Sequence, residues 1–416
     1  MMKTLSSAVA VLMFVLATPV PAWADAPRAV PAAEIQRVHE AAVTLDTHLD
    51  TAVHVARPRW SILERHERAR DISQVDVPRM IEGGLDGGFW AIFTPQGERT
   101  PAGRAAARDY ALRVAVRLRE MVARSPDTFA LATSSDDAAR IAGSGRRVVY
   151  LSIENGYPLG LDPTLLRTFH ELGVRMFGPV HFMNNDLGDS GTDPKGPEWG
   201  GLSPLGRDLV AEANRLGIVL DASHASDAVF DQMLELSKAP IILSHSGCKA
   251  IYDHPRNIDD ARLRRLAAAG GVISMNSLPA YLMPVTASPE RTAALGAVFK
   301  RFGSLASLTP EAAQELANAT ADIDRRFPVR EVTFDDFMAH LLHALKVAGV
   351  DHVGIGADWD GGGGVRGMDD VTALPRITER LLAEGYTAAD IEKIWGGNVI
   401  RLLREAERVR VASMAR

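Results

Sequence analysis

Arg147-Val148-Val149-Tyr150-Leu151-Ser152-Ile153-Glu154 is a nearly continuous apolar run, rich in β-branched and aromatic residues, that ends on a carboxylate. Such a run reads as a strand covered on both faces, the situation of a parallel sheet flanked by helices. The same reading extends outward to segments 43–50, 88–94, 174–181, 218–224, 240–245, 271–276 and 353–358. Between them, segments 104–123, 163–172, 206–216, 225–236 and 259–269 repeat Leu, Val and Ala at helical spacing. Strands alternating with helices in this way predict an α/β chain whose sheet closes into a (β/α)8, TIM-like barrel; an open doubly wound sheet is the alternative.

Two segments break the rhythm. Residues 284–330, between the seventh and eighth strands, are rich in Ala, Leu, Glu and Arg and predict an inserted helical hairpin, either a lid at the barrel mouth or a surface elaboration. Residues 388–408 predict a closing helix broken in two at Gly396-Gly397.

The chain has 416 residues, 46% of them hydrophobic and 24% charged, which suits one large barrel domain over 25–416. Residues 1–24 read as a secretory signal peptide: Lys3 gives the positive end, 8–17 the apolar run, and Ala22-Trp23-Ala24 the small residues of a cleavage site. That run is too short to span about 30 Å of hydrocarbon. The expectation is an exported protein, periplasmic or secreted, with no membrane span. A net charge of −6 gives no footing for nucleic acid. Cys248, the single cysteine, permits no intramolecular disulfide and reads as a small buried residue rather than a ligand.

Chemistry is concentrated where the predicted strands end: Asp50, Glu154, His181, His224, His245 and Asp358 each close one. In a parallel barrel these ends converge on one mouth, the catalytic face of the architecture. His48 and Asp50 stand two apart on a strand, so both point to one side. Alone, His-x-Asp is weak evidence, and a single His at a strand end is more often a hydrogen-bonded core residue than a ligand. Three such His with two acids point to metal. Glu154 then makes sense as a carboxylate bridging two ions, since an ionised acid after so apolar a run requires cationic partners. The expected sets are His48, Asp50 and Glu154 for one ion, and Glu154, His224 and His245 for the other. Mixed imidazole and carboxylate donors favour two Zn²⁺ per chain, with manganese or cobalt as alternatives.

Thr47-His48-Leu49-Asp50, Gly87-Gly88-Phe89-Trp90, Ser152-Ile153-Glu154-Asn155-Gly156, Asp221-Ala222-Ser223-His224, Ser244-His245-Ser246 and Gly354-Ile355-Gly356-Ala357-Asp358-Trp359-Asp360-Gly361 together resemble the motifs of the membrane dipeptidase (renal dipeptidase) family, in order, across nearly the whole mature chain. The resemblance implies a binuclear zinc barrel that hydrolyses dipeptides, including those with a C-terminal D-residue, through a hydroxide bridging the ions. It implies that His181 contacts the tetrahedral intermediate, that Arg256 in Pro255-Arg256-Asn257 grips the substrate carboxylate, and that Asp358 shuttles the proton. Spacing alone does not choose between Asp358 and Asp360, which share a face, and by sequence alone Arg256 is a surface arginine. The cysteines and lipid-anchor signal of the animal members are missing, and the insertion looks longer than in compact members. Substrate choice and oligomeric state stay open, a homodimer among the options.

Two other functions fit parts of the pattern: an amidohydrolase acting on lactams, lactones or N-acyl amino acids, and a non-catalytic zinc-binding envelope protein. Gly188-Asp189-Ser190-Gly191 imitates the nucleophile loop of chymotrypsin-like proteases, but the antiparallel hairpins of that fold are missing, so it reads as a polar loop near the mouth.

Overall fold

The computed structural model describes residues 28–414. Eight parallel strands form the frame: β1 Leu45–Leu49, β2 Gly87–Phe93, β3 Arg147–Glu154, β4 Val174–Phe177, β5 Val219–Leu220, β6 Ile242–Cys248, β7 Val272–Met275 and β8 Val353–Ile355. Ladders run from β1 through to β5 and from β6 through to β8. Single bridges close both gaps, Asp221 with Ile242 between β5 and β6, and Leu49 with Trp359 between β1 and the segment after β8. Sequence neighbours are therefore spatial neighbours around the ring, and the expected (β/α)8 barrel is the fold.

The two faces of β3 explain its composition. Val149, Leu151 and Ile153 pack in one core cluster with Ala111, Val114, Ala115 and Leu118 of the helix Pro101–Arg124. Val148 and Tyr150 join a second cluster with Leu45, Phe89, Met176, Val219, Ile242 and Val272, sealed by Val399, Leu402 and Leu403 of the last helix. With both sides buried, alternation of apolar and polar residues has no place in the strand.

Several strands are shorter than the sequence suggested. β4 ends at Phe177 instead of reaching His181, because Gly178-Pro179 follows and proline has no N–H for the ladder. β5 ends at Leu220 and β8 at Ile355, so His224 and Asp358 stand on the loops beyond, whereas His245 lies within β6. Two short strands escaped prediction: Phe129–Leu131 pairs with β3, and Asn257–Ile258 with the end of β6.

The insertion is a hairpin of helices Pro289–Phe302 and Pro310–Arg326, and the following helix Phe334–Ala348 takes the regular place in the ring. Ion pairs Arg291–Asp324 and Arg301–Glu315, at 2.7 and 2.6 Å, clasp the hairpin. Its turn, Leu305–Ser307, reaches the barrel mouth, so the insertion is more than a surface elaboration. The expected break at Gly396-Gly397 does not occur: a π-helical turn, Lys393–Gly397, carries Ala388–Glu392 on into Asn398–Met414. Gly396 serves close approach instead, since a Cβ there would lie 2.2 Å from the carbonyl oxygen of Val43.

Cys248 is buried, and burial pushes its thiol up to about 12, in keeping with an inert core residue. Among the described residues no helix is long and apolar enough to cross a membrane. The signal-peptide segment, 1–24, lies outside the described residues.

Candidate active site

Several of the loops that leave the C-terminal end of the barrel are fixed by a buried acid. Asp46, on β1, accepts from the backbone N–H of His48 at 2.8 Å and of Ala357 at 3.0 Å, tying β1 to the start of the Asp358 loop. Burial pushes this carboxyl up to about 7. Asp221 does the same between β5 and β6, accepting from the N–H groups of Ser223 and Ser244 at 2.9 Å each and from the Ser244 hydroxyl at 2.5 Å. Ser244 Oγ in turn lies 2.8 Å from His245 Nδ1, which orients the imidazole with Nε2 toward the mouth.

The loop after β4 is organised by Asp189, whose carboxylate accepts from the N–H of Glu198, Trp199 and Gly201. Ser190 Oγ donates to the carbonyl of His181 at 2.5 Å. The protease-like tetrad is therefore a structural loop at the mouth, and its serine is occupied in holding the His181 backbone.

Backbone strain marks the same places. Asn155, His224, Asp358 and Asp360 all adopt positive φ, between 64° and 68°. A non-glycine residue pays about 1–3 kcal/mol for such a conformation, so these loops keep side chains where glycine would be easier.

The side chains predicted from strand ends converge. Glu154 stands at the centre with its two oxygens facing different partners. Oε2 is 3.4 Å from His48 Nε2, which is itself 3.3 Å from Asp50 Oδ2. Oε1 is 3.0 Å from His224 Nε2, 3.4 Å from His245 Nε2 and 3.6 Å from His181 Nε2. His224 Nε2 and His245 Nε2 are 2.9 Å apart. Asp358 is buried alongside, with Oδ2 accepting from Asn276 Nδ2 at 3.2 Å.

Electrostatics follow from burial and crowding. Burial alone would raise Glu154, yet the charges of His48 and His181 and the hydrogen bonds of His224 and His245 hold it well below the usual carboxylate range. Burial works against His48 too, but Glu154 and Asp50 carry it well above an ordinary imidazole. His224 and His245 are driven well down by burial, helped by Arg256 and His48 respectively, and burial brings His181 to about 4. Neutral imidazoles with free lone pairs are what metal binding demands. Burial raises Asp50 and pushes Asp358 to about 8, with Asp50 and Glu154 adding repulsion to Asp358.

Whether this set suits a metal is decided by what it leaves unsatisfied. His48 Nε2 and His224 Nδ1 are buried without a hydrogen-bond partner, and His48 Nε2 sits near two carboxylates without forming a proper hydrogen bond to either. The groups close enough to share an ion are His48, Glu154 and His245; Glu154, His181 and His224; and His48, Asp50 and Asp358. Imidazole and carboxylate atoms aimed at common points in a buried pocket fit a divalent cation. The overlapping triads bring His181 and Asp358 as near as the five predicted ligands.

Arg256 is not the surface residue its sequence context suggests. It is buried, donates from Nη2 to the carbonyl of His245 at 2.9 Å and from Nη1 to Ser246 Oγ at 3.2 Å, and lies over the Tyr281 ring at 5.2 Å. Its Nε has no partner. Sequence reasoning missed Asp46 and His54, gave Asp221 no role of its own, and left Asp360 level with Asp358. His54 and Asp360 pair at 3.3 Å beside the pocket, and Asp360 also accepts from Thr51 Oγ1 at 2.7 Å and Gln74 N at 2.6 Å. Asp360 is thereby committed to holding loops together, whereas Asp358 accepts a side-chain hydrogen bond from Asn276 and faces the cavity. The available signal for Asp46 was an acid two residues before His48, on the same side of the strand.

Known proteins resemble this chain over most of its length. The dipeptidase tcpJ of Claviceps purpurea is 32% identical over 373 residues, covering 88% of this chain and 77% of the relative. The crystal structure of the probable dipeptidase PvdM from Pseudomonas aeruginosa matches with a TM-score of 0.74 at 30% identity, over 90% of this chain and 98% of that one. A metallopeptidase from Rhodobacter sphaeroides, solved with a phosphinate mimic of the dipeptide L-Ala-D-Ala, matches with a TM-score of 0.68 at 25% identity, over 87% and 99%. The family model of membrane dipeptidases, peptidase family M19, matches residues 32–416. The chain therefore belongs to the membrane dipeptidase family, and is a metal-dependent dipeptidase.

Proposed function

We propose that the mouth holds two divalent ions, zinc by the nature of the donors, with His48 and Asp50 on one side, His224 and His245 on the other, and Glu154 shared. The observation that carries this reading is the division of Glu154, Oε2 toward His48 and Oε1 toward His224 and His245. Metal bound there supplies Lewis acidity toward a peptide carbonyl and brings the pKa of a bound water to about 7.

The chain's own residues do the rest. Asp358, steadied by Asn276, takes the proton of the attacking water and delivers it to the leaving amine. His181, neutral and held by Ser190, presents Nε2–H to the oxyanion that develops on the carbonyl carbon's oxygen. Arg256, with a buried and unpartnered Nε, receives the substrate carboxylate and so excludes longer peptides. The substrates on this reading are dipeptides, including those with a D-residue at the C-terminus, a choice supported by the L-Ala-D-Ala mimic bound in the Rhodobacter sphaeroides relative.

Arg256→Lys tests the carboxylate grip, because an ammonium cannot reproduce a planar fork. The expected result is a fall in kcat/KM for Gly-D-Ala of about tenfold to a hundredfold, the worth of one or two charge-assisted hydrogen bonds, with metal content unchanged. Amidation of the substrate's C-terminus should cost the wild-type enzyme a similar factor and cost the variant little. Equal rates on the free and amidated dipeptides, or a preference for N-acetyl amino acids over dipeptides, would place the enzyme among other amidohydrolases.

A further inference from the structure

Above the cluster lies a cavity of about 350 Å³ whose floor includes Asp50, Glu154, His181 and Asp358. One side of it is a chamber walled by Val53, Phe93, Tyr110, Val114, Leu305 and Ala306. Four separate parts of the chain build that wall: the segment after β1, the end of β2, the helix Pro101–Arg124, and the turn of the inserted hairpin. No Lys or Arg is among the described residues that line the cavity.

The hairpin turn is a fixed wall. Leu308, just after it, is buried, and its carbonyl accepts from Arg57 Nε at 3.3 Å. Arg57 is itself clamped by two hydrogen bonds to Asp71, at 2.9 and 2.7 Å, all below the surface. A second ion pair, Arg59–Glu311 at 2.5 Å, ties the hairpin to the segment after β1. Leu305 and Ala306 are thus held over the cavity by contacts that do not involve the metal cluster.

Position in the ring sets which end of a substrate meets the chamber. Arg256 follows β6 and leans on the His245 backbone, while the chamber stands over β1 and β2, separated from β6 by β7 and β8 one way and β3 to β5 the other. A dipeptide with its carboxylate on Arg256 and its carbonyl over Glu154 places its N-terminal residue on the β1–β2 side.

We infer that this chamber is the subsite for the side chain of the substrate's N-terminal residue, and that it selects apolar side chains, with Leu305 of the inserted hairpin as a specificity-determining wall. The inference rests on the dipeptidase reading and on the placement of the carboxylate at Arg256. A leucine or phenylalanine side chain gains by leaving water for this wall, whereas an aspartate there loses hydration and finds no Lys or Arg side chain on the wall to pair with.

The test is a set of substrates with one C-terminus, Gly-D-Ala, L-Leu-D-Ala, L-Phe-D-Ala and L-Asp-D-Ala, measured on the zinc-loaded full chain. The expected kcat/KM for the Leu or Phe substrate exceeds that for Gly-D-Ala by about tenfold or more, a gain typical of filling an apolar pocket, and L-Asp-D-Ala is the poorest. Leu305→Ala should shrink the Leu-to-Gly ratio several-fold, and Leu305→Arg should raise the Asp-to-Leu ratio by at least tenfold. Equal rates across the four substrates would overturn the subsite while leaving the dipeptidase standing. A Leu preference that neither Leu305 variant alters would overturn the role of the hairpin. Failure of the metal-loaded protein to cleave any of the four would instead remove the dipeptidase reading on which the subsite depends.

Discussion

Replacing Asp358 by Asn lowers kcat by about 10²- to 10⁴-fold, the range of a lost general acid–base group, while the metal stays bound. Asn is the informative substitution because position 358 has a φ of 64°, and Asn tolerates the left-handed region better than Ala does. It keeps the shape of the side chain and removes only the ability to take up a proton. The prediction has an opponent built into the geometry: Asp358 also lies within ligand reach of His48 and Asp50. Were it a ligand, the Asn variant would lose metal along with turnover, and elemental analysis of the purified variant separates the two cases. Retention of wild-type turnover would remove Asp358 from both roles. Asp360, two residues on, is already engaged by His54, Thr51 and Gln74, so it is poorly placed to substitute.

Glu154→Gln is the second large effect. Glu154 is buried, faces His48 through one oxygen and three other imidazoles through the second, and is the only carboxylate common to both proposed halves of the site. Gln retains the volume but removes the charge that the two proposed ions would share, so the expected protein carries less than one ion per chain and has no turnover above background. Loss of metal also lowers its melting temperature relative to the wild-type enzyme, since a ligand that binds only the folded state adds to stability. A Gln variant with full metal content and a modest loss of rate would show that Glu154 orients other groups and does not join two ions.

Much of this was legible in the sequence because barrels convert distance along the chain into proximity by a simple rule. Once β3 is recognised as a strand buried on both faces, the residue after each comparable run belongs at one mouth, and His48, Asp50, Glu154, His181, His224, His245 and Asp358 do meet there. Exact strand ends were less legible, because Gly178-Pro179 and the positive φ of His224 and Asp358 end the ladders before the functional residues arrive. Arg256 was opaque for a different reason: its burial comes from Tyr281 and the β6 backbone, contacts between segments far from any periodic pattern. The anchors Asp46 and Asp221 act largely through backbone N–H groups, those of Ala357 and Ser244 among them, and a hydrogen bond to a main-chain atom leaves no residue type to read at the partner position. Gly396 misled in the opposite direction, because a glycine that admits the Val43 carbonyl looks in sequence like one that breaks a helix.

The most direct measurement is the metal content of the purified protein alongside hydrolysis of L-Ala-D-Ala and Gly-D-Ala, before and after chelation and after adding zinc back. The shared position of Glu154 predicts two ions per chain, cleavage lost on chelation, and recovery with zinc. One ion per chain at full activity, or cleavage indifferent to the chelator, would contradict it.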